Sequence, residues 1–254
     1  MARVAVTGAA GNVGRETVDA LSTDHDVTPI THREREGLDS VILDVRDPEA
    51  LMEAFEGQDV VVHLAANPDP DAGWESVYEV NIGGTYNVYE AALAAEVDRV
   101  VFASTNHVHQ MYNIADPARP ETLAEGARTV RPSDPPRPDS YYGVSKVFGE
   151  ALGSYYADRY GIEVVNVRIG WLLTPADVRE KMDEEPTVAR YVRAMWLSPQ
   201  DCRQGMRRTV EASLPRSPLA INLLSANDDR YLSLTEAMRT IGYRPRDNSG
   251  MVVD

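Results

Sequence analysis

Cysteine is almost absent from this chain. Its 254 residues include one, Cys202, which excludes an intramolecular disulfide and a cysteine-clustered metal site; no metal is expected. Lysine is nearly as scarce. Of 25 basic residues only Lys146 and Lys181 are lysines, against 40 acidic residues and a net charge of −15. A nucleic-acid binder needs a basic face, which this balance does not supply. No apolar run reaches the length that crosses a bilayer. Met1-Ala2-Arg3-Val4-Ala5-Val6 enters a strand pattern at once, so no signal peptide and a cytoplasmic location are expected. An acidic, lysine-poor surface stays hydrated in concentrated salt and repels itself in dilute buffer. That is the composition expected of a salt-loving organism; an acidic bias from a GC-rich genome would look the same.

What is present is an alternation of short apolar strands with helical patterns. Strands are expected at Val4–Thr7, Val27–Thr31, Val41–Asp44, Val60–Leu64 and Val100–Ala103, with helices over Val13–Leu21, from Asp47-Pro48 through Phe55, and over Val77–Ala95. Asp47 is placed to cap the second helix and Pro48 to occupy its first turn. The continuous apolar run at 60–64 suits a strand buried on both faces. Residues 113–140, rich in Pro, Asp and Arg, are expected to form a long functional loop. A helix over Tyr141–Tyr160, a strand at Val164–Ile169, a polar and partly lid-like stretch over 174–190, a helix start at Ser198-Pro199, a strand at Leu219–Leu224 and a closing helix at Leu234–Ile241 complete the reading. The fold class is α/β, a doubly wound parallel sheet of the Rossmann type with a small C-terminal substrate-binding region. The chain reads as one domain, 1–168 mainly for a dinucleotide and 169–254 mainly for substrate and closure.

Gly8, Gly11 and Gly14 stand in the run Thr7-Gly8-Ala9-Ala10-Gly11-Asn12-Val13-Gly14, between the first strand and the first helix. Glycines there let backbone approach a pyrophosphate, and the helix N-terminus supplies N–H groups and a favourable dipole. Asn12 and Val13 join this candidate cofactor site. At the end of the second strand, His32 takes the place where an acid usually binds the adenosine ribose. Arg33 beside it suits a 2′-phosphate and favours NADP over NAD, unless Arg33 faces solvent and Glu34 or Glu36 takes the ribose. Asp44 and Val45 are placed for the adenine edge or merely end a strand. Tyr142 and Lys146, four residues apart, share a helical face. The ammonium, together with an oxidised nicotinamide ring, favours phenolate and is expected to lower the tyrosine toward working pH, so that it can take a proton from a substrate hydroxyl. Tyr141, one residue out of that spacing, reads as packing or substrate contact. Ser104, Thr105, Asn106 and His107 follow the fifth strand, where ligands bind in such sheets.

Together with Val62-His63-Leu64-Ala65-Ala66 and Val80-Asn81-Ile82-Gly83-Gly84-Thr85, these motifs resemble the extended short-chain dehydrogenases across residues 4–150. More narrowly, Phe102–His107, Val167–Gly170, Met195–Ser198 and Gly242–Asn248 resemble uronate dehydrogenases and haloarchaeal aldose dehydrogenases over nearly the whole chain. The resemblance implies oxidation of the anomeric carbon of a sugar to a lactone with NADP or NAD. It implies Thr105, Tyr142 and Lys146 as catalytic residues, helped by Asn81. Leu64, Ala65, Ala66 and Ile169 would lie along the cofactor, and Asn106 and His107, with Ser104 beside them, would hold the sugar. A homo-oligomer paired through helices 77–95 and 141–160 is implied as well. One position departs from the pattern: uronate dehydrogenases carry an arginine five residues before the tryptophan, and Tyr191 stands there as a substrate contact, flanked by Arg190 and Arg193, the candidates to grip a carboxylate or phosphate unless they form an exposed helical face. That makes a neutral aldose or a sugar phosphate as good a candidate as a uronate. The other readings are a nucleotide-sugar epimerase or dehydratase, which usually needs a longer C-terminal half, and a dinucleotide-sensing regulator, which has no need of Tyr142 and Lys146.

Overall fold

The computed structural model of the protein describes residues 1–253. The first half runs β1 Arg3–Thr7, α1 Asn12–Leu21, β2 Asp26–Thr31, β3 Val41–Ile42, α2 Pro48–Phe55 and β4 Val60–His63. It continues through α3 Trp74–Val77, a π-helical segment Tyr78–Gly83, α4 Gly84–Ala94 and β5 Arg99–Thr105. After a long loop come α5 Tyr141–Tyr160, β6 Glu163–Ile169, β7 Trp171–Leu172, α6 Pro175–Met182, α7 Pro186–Met195 and β8 Trp196–Leu197. The rest is α8 Pro199–Glu211, β9 Leu219–Leu223, α9 Thr235–Thr240 and α10 Gly250–Val253.

Seven strands form one sheet in the order β3-β2-β1-β4-β5-β6-β9, every pairing parallel. The two-residue period of a strand divides the core. Val4, Val6, Val60, Val62, Val101 and Ala103 pack on one face, continuous with α8 through Cys202, Met206 and Val210. Ala5, Val61 and Val100 pack on the other, against Leu51, Val88, Tyr89 and Tyr156 of α2, α4 and α5. Both faces are dry, which is why the strands read as unbroken apolar runs. β1 pairs with β2 on one side and β4 on the other, so the chain reverses direction across the sheet at β1 and leaves a crevice beyond the carboxyl ends of the strands.

Local chemistry sets the element ends. Asp47 accepts a hydrogen bond from Ala50 N and Pro48 opens α2, as expected. Ser140 accepts from Gly143 N at the start of α5, and Gly161, in the left-handed region at φ 80°, ends it. Three expectations are corrected. The helix expected over 77–95 starts at Trp74 and passes through the π segment 78–83 before resuming as α4; Gly83-Gly84 tolerates the altered pitch. The strand expected to 44 stops at Ile42, because its side chains are exposed on the sheet edge. The polar stretch 174–190 is largely helical: Thr174 and Asp177 form a reciprocal capping box on α6, and Pro186 opens α7. β7 and β8, a two-stranded parallel ribbon, carried no readable signal at two residues each.

Candidate active site

The crevice is a cleft of about 770 Å³. One end is built by the turn after β1. Gly8 sits at φ +69°, and a Cβ there would lie 2.7 Å from Ala65 N; one on Gly14 would lie 2.3 Å from Gly8 O. Only glycine lets β1, α1 and the loop after β4 approach so closely. Gly11 caps α1 without any side-chain hydrogen bond, so the first N–H groups of the ten-residue helix, at Asn12, Val13 and Gly14, face the cleft with the positive end of the helix dipole. Below them His63 is wedged between Thr7 Oγ1 at 2.8 Å and Thr85 Oγ1 at 3.2 Å. Burial, then the nearby Lys146 charge, pushes it down to about 3; it is a neutral strut joining β1, β4 and α4. Leu64, Ala65 and Ala66 line the wall beside it.

The far end of this half is lined by His32, Asp44, Val45 and Arg35. Arg33 is exposed and lies outside the cleft lining, because the chain turns after Thr31 and carries it to solvent. Arg35, which sequence reasoning passed over, points inward instead, and its Nε is buried without a hydrogen-bond partner. Asp44 is bound by Arg46 at 2.7 Å, which holds its carboxyl below the ordinary range despite partial burial. A glycine turn, uncapped helix N–H groups and an unpartnered guanidinium form a cradle that fits the pyrophosphate and the adenosine end of a nicotinamide dinucleotide.

At the opposite end α5 delivers Tyr142 and Lys146 to the same wall, the ammonium 5.7 Å from the Tyr142 ring centroid and 4.9 Å from that of Phe102. Lys146 is buried without a carboxylate beside it, and burial brings it down to about 7. In the chain without coenzyme, burial pushes the Tyr142 phenol up to about 12, while its hydrogen bond with the Thr105 side chain acts the other way. Thr105 also accepts from His107 N at 3.3 Å. His107 is gripped by the buried Asp139, Nδ1 to Oδ2 2.8 Å, and its ring meets Tyr142 edge-on at 5.8 Å. Asn106 Nδ2 donates to Tyr191 Oη at 2.6 Å, and Trp171 stands 5.7 Å from the Tyr191 ring. Ile169 closes the wall.

Several residues proposed from sequence are placed elsewhere. Ser104 reaches the lining, but its hydroxyl donates to buried Glu150 at 2.5 Å. Glu150 in turn holds Arg168, which donates to Pro132 O and so ties the 113–140 loop to β6. Tyr141 is 54% exposed, packs against Trp74 and does not line the cleft. Arg190 is spent on Leu123 O and Glu125, and Arg193 on Asp229; neither lines the cleft. Asn81 is buried behind the wall. It accepts from Asn67 N at 2.8 Å and donates to Asn67 O at 3.0 Å and Ser145 Oγ at 3.1 Å, joining the loop after β4 to the helix of Tyr142. Asp139 and Glu121, from the unpatterned loop, and Trp171 carried no spacing that sequence reasoning could use.

Residues 4–200 match the family described as NAD dependent epimerase/dehydratase. The chain is 82% identical over its full length, and the full length of the relative, to an L-arabinose 1-dehydrogenase (NAD(P)(+)) of Haloferax volcanii. It is 34% identical, over 97% of this chain and 94% of the other, to an NAD-dependent glucose-6-phosphate dehydrogenase of the same organism. The crystal structure of uronate dehydrogenase from Agrobacterium tumefaciens superposes with a TM-score of 0.79 at 30% identity, covering 99% of this chain and 86% of that one. With its glycine turn, its strand order and its Tyr142–Lys146 pair in register, this chain belongs to the NAD dependent epimerase/dehydratase family.

Proposed function

We propose that the protein is an NAD(P)-dependent aldose 1-dehydrogenase that converts a neutral pentose of the L-arabinose kind to its lactone. One observation carries the reading: a single cleft has the Gly8–Gly14 cradle at one end and Tyr142, Lys146 and Thr105 at the other. The 82% identity to an L-arabinose 1-dehydrogenase supports the substrate class. A bound nicotinamide would accept the hydride from the anomeric carbon. Tyr142 takes the proton of the anomeric hydroxyl, and Thr105 holds the same oxygen as charge develops on it. Lys146 supplies the positive charge that a phenolate needs in a buried wall. His107, fixed by Asp139, and Asn106 with Tyr191 orient the ring hydroxyls. Asn81 acts as a positioning residue through Ser145 and Asn67. Arg35, with His32, replaces Arg33 as the group for a 2′-phosphate, so both coenzymes are used.

The test is the purified protein in molar salt with pentoses, hexoses, uronates and sugar phosphates, each with NAD⁺ and NADP⁺. L-Arabinose should reduce coenzyme and Tyr142→Phe should lower turnover by about 10³-fold while still binding coenzyme. No reduction with any aldose, or a Tyr142→Phe rate near wild type, would overturn the proposal.

The reading extends to the whole chain as one domain in the cytoplasm, with 169–254 closing over substrate. Among the described residues no helix is long and apolar enough to cross a membrane. Tyr86 on α4 and Tyr155 and Tyr160 on α5 are 49%, 50% and 45% exposed, an aromatic face suited to a second copy of the chain. Sedimentation should give a dimer, and a Tyr155→Arg variant a monomer.

A further inference from the structure

The sugar end of the cleft has an unusual charge inventory. Its lining contains Glu121, and the arginines that line the cleft, Arg35 and Arg46, belong to the coenzyme end. Arg190 and Arg193, on the helix that carries Tyr191, are turned outward to Glu125 and Asp229. The cation that lines this end is Lys146, whose ammonium lies against the Phe102 and Tyr142 rings; Lys181, whose charge is felt at Glu121, is engaged over the Trp171 ring and with Glu184.

Glu121 is half-buried and its carboxylate has no hydrogen-bond partner among the described residues. Burial raises it, opposed by the charges of His107 and Lys181, and its own charge is felt at Tyr191, so it faces the same space as the residues assigned to the sugar. Its backbone is held on both sides: Thr122 O accepts from Gln110 Nε2 at 2.9 Å, Thr122 Oγ1 donates to Arg119 O at 2.8 Å, and Leu123 N donates to Thr187 O at 3.0 Å. A carboxylate kept unpaired at a fixed place in a ligand pocket has acceptor capacity left for a ligand's hydroxyls. The same charge disfavours a second anion nearby, and partial burial limits how far salt screens it.

We propose that Glu121 sets the charge preference of the pocket, accepting hydrogen bonds from the hydroxyls of a neutral aldose and turning away uronates and sugar phosphates. The inference rests on the aldose dehydrogenase reading and specifies its substrate class. Three sugars with the same ring stereochemistry separate charge from size: L-arabinose, D-galactose, which adds a hydroxymethyl group, and D-galacturonate, which adds a carboxylate. Kinetics with wild type, Glu121→Gln and Glu121→Asp are measured at the lowest salt that keeps each folded, with coenzyme binding followed by fluorescence. Wild type should favour D-galactose over D-galacturonate. Glu121→Gln should shrink that kcat/KM ratio by about tenfold and raise KM for L-arabinose, and Glu121→Asp should preserve the ratio. A ratio within twofold of wild type in Glu121→Gln overturns this inference and leaves the dehydrogenase reading standing. So does a Glu121→Gln protein that no longer binds coenzyme, since the residue is then structural. A wild type inactive on all three sugars overturns the dehydrogenase reading and this inference with it.

Discussion

Tyr142 and Lys146 sit in a wall that favours their uncharged forms. Lys146 is brought to about 7 from 10.5 by burial alone, a cost that the coenzyme-free chain bears. Because the folded value lies below the ordinary one, the unfolded chain binds more protons between about pH 7 and 10.5, and stability rises with pH across that window. Replacing Lys146 by Met should therefore stabilise the coenzyme-free protein by on the order of a few kcal/mol below pH 7. The gain should fade as pH climbs toward 10.5; thermal melts of the two proteins at several pH values check this. A gain that does not change with pH would separate Lys146 from the cause. Arg35 yields a second residue-scale expectation. Its buried, unpartnered Nε predicts that Arg35→Ser raises KM for NADP⁺ about tenfold or more and changes KM for NAD⁺ little. Arg33→Ser should alter neither. Steady-state kinetics with both coenzymes distinguish the two arginines.

At the scale of elements, the position of α5 against β5 decides whether Tyr142 and Lys146 meet the cleft. Gly149 allows that approach: a Cβ there would fall 2.1–2.8 Å from three atoms of the Phe102 ring, which is fully buried beneath Lys146. Gly149→Ala must push helix and strand apart, costing about 1–3 kcal/mol. Calorimetry should show a melting point lowered by several degrees, and turnover should fall more than coenzyme binding does. The strands, α1 and α5 were legible because their signals are local: apolar runs, a glycine turn, a four-residue spacing. The sugar end was legible only in part. Tyr191 drew notice through its neighbours and Asn106 through its place after β5. Asp139 and Glu121 come from a loop of no periodicity, and they reach the site because Glu150 and Arg168 anchor that loop from the other side of the chain. Arg35 carried no signal of its own beside Arg33, because a count along the chain cannot tell which way a turn carries its side chains.

For the molecule as a whole, the governing quantity is a charge of −15 on 254 residues. Ion pairs such as Arg3–Asp59, Arg203–Glu16 and Arg207–Asp24 stitch distant segments at the surface, yet the acidic excess leaves most carboxylates to repel one another. Added salt should raise the melting temperature from dilute buffer to molar concentration, since self-repulsion is screened over a Debye length of about 3 Å at 1 M. A melting point that falls with salt would mean the surface pairs outweigh the repulsion.

The π segment at Tyr78–Gly83 carries one residue more than a regular turn would hold, and with it Asn81 is brought to its three hydrogen bonds. Six residues at this wider pitch turn through nearly the same angle as five wound normally, so the extra residue is absorbed locally and α4 leaves the segment in the phase an unbroken helix would have given it. Excising one residue would restore ordinary winding and keep Val88 and Tyr89 turned inward, while taking Asn81 off its brace. The irregularity works as a blister on a continuous rod, lifting one amide out to brace the site at no cost to the rod's alignment, and a single-residue deletion there should lower turnover far more than it lowers the melting point.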